Sequence, residues 1–362
     1  MRMMPIAAFA AAIAGCASSD SDPGRAGPPV SSSHGVAPGA GKESHVFEVK
    51  SSADLAQLRI EYMRLWSKGS PADLVVQVAP DASLMPTGWA LEPEHPGEGE
   101  ALIDVFIKGG GAVLPLPERV FARSLRMQDV ILTGGRTGPS EIRVSNAFAM
   151  RRSMLVDARL TDPNGQGGFV EVFADGGPHT GADVTIEDCW FVRNYQADRP
   201  ARMLSFTQRG EDAGYFTRVK VARSAFLGNA FGADLAVEYA RAVTIEDSLF
   251  FRSWTGPGTE IACSHCEGVI ATGSTFVLER ADQAASVDRT QPVLLKSSRV
   301  FARGWKAGAA LPPALDPSTA VEDRAAFAGE AAASEAIAAA TAQPLHLPAA
   351  DAFAKLARAT GG

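Results

Sequence analysis

Five side chains lie close enough along the chain to do chemistry together. His179 belongs to ADGGPHTGAD (174–183), Tyr215 and Arg218 to QRGEDAGYFTR (208–218), and Glu187 and Lys220 to the strands that these two stretches lead into. A lysine or arginine beside a tyrosine or histidine suits removal of a proton next to a carboxylate, because the cation neutralises the acid while its neighbour takes the proton. Arg209 adds a further cation. Each stretch runs into a V-x-I strand whose residues alternate between two sides, so Thr185, Glu187 and Lys220 are expected on one outward surface flanked by both stretches. The competing reading is a pair of solvated loops with scattered polar residues.

Cys263-Ser264-His265-Cys266 has the spacing of a metal or redox motif. Zinc needs four ligands, however, and no second C-x-x-C or H-x-x-H is present. A thioredoxin-type pair needs a strand-to-helix junction, whereas this tetrapeptide falls at a turn. A disulfide between Cys263 and Cys266 is expected, with two small buried residues as the alternative. The glycines at 109–111 and 134–135 lack the flanks of a phosphate or dinucleotide loop and read as turns, and no G-x-S-x-G elbow occurs. No metal and no cofactor are expected.

These residues must be positioned by a repeat. VTIEDCWFVRN (184–194) returns as VTIEDSLFFRS (243–253), and the spelling recurs from Leu125, Phe148, Val184, Val219, Val243, Val269 and Val293. With the first residue as position zero, position two is apolar (Met127, Met150, Ile186, Val221, Ile245, Ala271, Leu295). Position five is Val130, then Ser or Cys (Ser153, Cys189, Ser224, Ser248, Ser274, Ser298). Position seven reads Leu132, Leu155, Phe191, Phe226, Phe250, Phe276 and Val300. Units of this length cannot bury an apolar side alone. Stacked at the strand spacing of about 4.8 Å, they build one interior, with a column of small side chains at an inner bend and an aromatic column beside it.

Position four reads Asp129, Arg152, Asp188, Arg223, Asp247. Alternating charge is what stacking predicts, so Arg152 and Arg223 are read as parts of a ladder and not as bases. The units starting at Phe148 and Val184 are longer than their neighbours, and extra length on a regular scaffold is where binding sites are grafted.

This repeat resembles the right-handed parallel β-helix superfamily, the fold of pectate lyases and their relatives, over roughly residues 100 to 303. The resemblance implies an all-β solenoid over 45–304. The amphipathic stretch in SSADLAQLRIEYMRLWSKGS is then an N-terminal capping helix, and 305–362 an Ala-rich tail of one or two helices at the far end or along the side. It also implies that the chemistry above would be elimination across a uronic acid.

The first residues, MRMMPIAAFAAAIAGC, end in Ile13-Ala14-Gly15-Cys16, which resembles the lipobox of bacterial lipoprotein signal peptides. The resemblance implies cleavage before Cys16, its lipidation, and, with Ala17 next, delivery to the outer membrane. Residues 17–44 are Ser, Gly, Pro and Asp with almost nothing to bury, and read as a flexible linker. A net charge of -7 with no arginine-rich helix argues against a nucleic-acid partner.

The function expected is therefore a membrane-anchored envelope protein that binds polysaccharide. The alternatives are a non-enzymatic scaffold that displays its loops, and a lyase or hydrolase of the same fold.

Overall fold

The computed structural model describes residues 42–84, 88–93, 101–136, 138–161, 168–175, 180–196, 202–208, 214–288 and 293–360. The lipobox, the linker up to residue 41, His179 and Arg209 lie outside the described residues. Twenty-three strands of the described chain join in one sheet whose pairings are parallel, and three short ones form a second. The fold is a parallel β-helix.

Each coil contributes to three faces. On the first, Val184 lies opposite Phe148 and Val219, and Leu125, Val243, Val269 and Val293 continue the column. Every repeat start is thus in register with the next. The column also runs upstream, from Leu125 to Val105, Leu74 and His45, through coils that lack the serine corner. The second face consists of short strands such as Trp190–Val192, Ala225–Leu227 and Leu249–Phe251. The third includes Gly168–Ala174, Arg202–Gln208 and Ala233–Glu238.

The corner between the first two faces has a local cause. Asp129, Arg152, Asp188, Arg223 and Asp247 all adopt left-handed backbone, with φ between 44° and 55°, which swings the chain through the bend. The next residue seals it. Ser224 Oγ donates to the Ala222 carbonyl at 2.9 Å and accepts the Cys189 N–H at 3.2 Å, and Ser248 and Ser274 repeat the pattern. Corner amides that point inward find partners without water. Inside the second face, Phe191, Phe226, Phe250 and Phe276 stack with centroids 4.6, 4.6 and 4.9 Å apart.

Helix α1 (Ser52–Ser67) starts where the Ser51 N–H donates to Asp54 Oδ2 at 2.8 Å. Its buried residues Leu55, Leu58, Tyr62 and Leu65 follow helical spacing, and Tyr62 donates its hydroxyl to the Phe121 carbonyl. The helix follows the first strand, Glu43–Ser51, which takes up the last residues of the expected linker. At the far end Trp305, Ala314 and Leu315 pack on the core, and one more strand, Ala320–Asp323, follows. Helices α2 (Glu330–Thr341) and α3 (Ala352–Ala359) lie along the side, with Ala333, Ala340 and Leu356 against Val192, Leu227 and Phe251 on the outside of the second face. No helix of the described residues is long and apolar enough to cross a membrane.

Candidate functional site

Thr185 and Lys220 sit opposite each other on the outer side of the first face, and Glu187 follows two residues along the same strand as Thr185. Lys220 Nζ lies 3.2 Å from Glu246 and 3.8 Å from Glu187, and Arg151 reaches Glu187 from the other side at 3.3 Å. Arg218 is held by Asp183 at 2.9 Å. Tyr215 sits at the corner leading into this face, its ring covered by the Arg241 guanidinium at 4.4 Å. The structure therefore gathers Glu187, Lys220 and Arg218 on one face and sets Tyr215 at its margin.

Each cation of the expected pair already has a carboxylate. Neutralising a ligand's acid there would first require breaking a pair, although such half-exposed pairs exchange partners at little cost. The arrangement suits a hydroxyl-rich chain, which can both donate to carboxylates and accept from cations.

The same face continues toward the N-terminus. Next to Thr185, in register, come Ala149, Arg126 and Phe106. The alanine makes a low step between Arg126 and Thr185, and Arg126 has no hydrogen bond or ion pair among the described residues. Two residues back along the strands, Asp73 and Asp104 face each other on adjacent strands and hydrogen-bond through their side chains. Burial raises Asp104 although Lys42 Nζ (2.8 Å) and Arg123 Nε (2.9 Å) both donate to it, and burial together with the neighbouring Asp104 raises Asp73. Sequence reasoning missed this group because it lies upstream of the first recognisable unit, where neither the serine nor the phenylalanine column marks the register.

A second acidic pair is internal. Asp234 and Glu260 are in hydrogen-bonding contact, Asn229 Nδ2 donates to Asp234 at 3.2 Å, and Arg252 Nε lies 3.2 Å from Glu260. Arg252 Nη2 donates to the Phe231 carbonyl at 2.9 Å. All three charged residues are buried, and burial with the facing Asp234 pushes Glu260 well above the usual carboxylate range, against the opposing pull of Arg252. Such a cluster is out of reach of a large substrate and acts on stability.

The expected ladder resolves into pairs. Arg152 donates to both oxygens of Asp129 at 2.8 and 2.9 Å, and Arg223 to both of Asp188 at 2.8 and 3.0 Å. Cys263 and Cys266 stand side by side as buried thiols that share a hydrogen bond. That bond lowers Cys266 and raises Cys263. His265 between them has left-handed backbone and stacks on Tyr239 at 4.6 Å.

No protein-family model matches the chain, and no curated protein or solved structure matches it. Function has to be argued from these surfaces.

Proposed function

We propose that the protein is a lipid-anchored protein of the bacterial envelope, in the outer membrane, whose parallel β-helix binds a polysaccharide along the outer side of its first face without turning it over. The support is the composition of that face: Arg126, Ala149, Thr185 and Lys220 succeed one another one strand apart, with Glu187, Arg151 and Glu246 beside them. Donors in this row at the strand spacing, with the carboxylates of Glu187 and Glu246 two residues along the strands as acceptors, suit an extended chain of hydroxyl-bearing units. Binding is favoured over elimination because both cations of the expected pair, Arg218 and Lys220, are held by carboxylates and the Tyr215 ring is covered by Arg241.

The test is binding of a panel of neutral and uronate-containing polysaccharides to the full chain. Arg218→Ala with Lys220→Ala, and separately Arg126→Ala, should weaken binding without changing the melting temperature. Absence of binding to every glycan tested would make the scaffold role the better account. Unsaturated product absorbing in the ultraviolet, lost in Lys220→Ala, would establish a lyase. For the anchor, Cys16→Ala should abolish palmitate incorporation and release the protein from membranes; unchanged labelling would overturn that part. In the oxidising compartment this location supplies, Cys263 and Cys266 form a disulfide, checked by thiol trapping under non-reducing conditions.

A further inference from the structure

The side of the molecule opposite in character to the glycan face holds a cavity of about 520 Å³. Trp190, on the second face, lines it. Ala336 and Ala340 of α2, Leu356 of α3 and Leu347 of the connection between them also line it. The cavity exists because the packing steps down there. Trp190 stands between Met154 and Ala225 on the adjacent strands, and the tail presents alanines to it. By contrast Ile337 packs closely over Gly228, whose Cβ, if present, would lie 3.2 Å from it. A second cavity of about 350 Å³ shares Trp190 and Leu347 with the first and opens on Asp129, Arg152 and Asp188. Apolar clefts of these sizes with a few polar groups at the mouth are the form that small-ligand sites take.

The charges around the mouths select the ligand. Arg152 is matched by Asp129, Arg223 by Asp188, and Lys355 by Asp351 at 2.8 Å. Glu335, on the rim of the larger cavity, is in no ion pair among the described residues. Of the charged and titratable groups in the lining, Lys355 is thus paired, His346 is a further polar group, and the Glu335 carboxylate is left over beside an apolar space that the Trp190 indole also lines. We infer that this cavity binds a small hydrophobic amine, its apolar body over Trp190 and its ammonium at Glu335. The site is distinct from the glycan face and does not depend on that reading.

An isosteric series of probes tests this by calorimetry on the full chain: adamantylmethylamine, adamantanemethanol and adamantanecarboxylate. The amine should bind about fivefold to tenfold more tightly than the carboxylate, the effect of exchanging one rim attraction for a repulsion. Glu335→Gln should remove the preference for the amine while leaving the alcohol's affinity unchanged. Ala336→Phe should remove binding of all three with the fold retained by circular dichroism, and Ala332→Phe serves as a second filler should the first not fold. Equal affinity for amine and carboxylate, binding that survives a folded filler, or no binding of the amine at millimolar concentration would each overturn the inference.

Discussion

The first and second faces of this β-helix are built from the same coils, yet they meet their surroundings differently. Strands of the first face, such as Gly181–Glu187 and the Val243-to-Glu246 part of Ala240–Glu246, alternate buried and half-buried residues. Strands of the second, such as Trp190–Val192, Ala225–Leu227 and Leu249–Phe251, are buried at every position. Inward residues of both faces fill one core. Outward residues of the second are roofed by the C-terminal helices, while those of the first carry cross-strand ion pairs and stay open. One face of a solenoid can thus be closed for stability while its neighbour is left for a ligand, because each face sends only alternate residues inward.

The largest effect expected from breaking this contrast is inside the second face. Phe226→Asp would place an unpaired carboxylate between the rings of Phe191 and Phe250, each 4.6 Å away, at a cost of several kcal/mol. Denaturant unfolding should show a severely destabilised or unfolded chain. Normal stability would mean that the aromatic column is not interior.

Next comes the buried Asp234–Glu260 pair, which tests what a charge does inside instead of outside. Glu260 is held well above the ordinary carboxylate value of 4.5, so the folded state keeps a proton that the unfolded chain releases near that pH. Stability contributed by that proton is full below about pH 4.5 and falls as pH rises through the folded pKa. Glu260→Gln supplies a permanently neutral side chain. It should lessen the decline, making the variant relatively more stable at pH 8 than at pH 4 when both are compared with the parent by chemical denaturation, by on the order of 1 kcal/mol. A parallel pair of curves would show that Glu260 is already ionised in the fold.

The smallest effect belongs to the corner charges. Asp188→Lys replaces the acceptor of Arg223 and puts a third cation beside Arg152. The loss is expected in the range of about 0.2–1 kcal/mol, larger in low salt than in high salt. Equal losses at both ionic strengths would assign the effect to the left-handed backbone at Asp188, where φ is 55°, and not to charge.

Much of the coil architecture was legible from the chain. All seven unit starts fall in register, since a period-two strand, a small residue at a bend and an aromatic two positions later can stack only when like lies over like. The triple apolar runs WFV, AFL and LFF also carried a readable sign: a strand apolar on both sides has something packed on both. The candidate site was legible only in part. That Thr185, Glu187 and Lys220 point outward together follows from alternation. That Lys220 is bracketed by Glu187 and Glu246 does not, because those partners lie on other coils, a loop or more away in sequence.

Sequence by itself determined the register of the stack, the contents of its interior columns and the outward side of the first face, because each depends on local alternation repeated at a nearly constant period. Tertiary structure alone decided the rest. It placed the alanine-rich helices on the second face instead of over the end, where Trp305 and Leu315 pack on the core. It also brought Asp73 to Asp104 and Asp234 to Glu260, and left a cavity above Trp190. In each of these cases the deciding quantity is which surfaces from distant parts of the chain meet and how completely they fill the space between them. No local spacing encodes that.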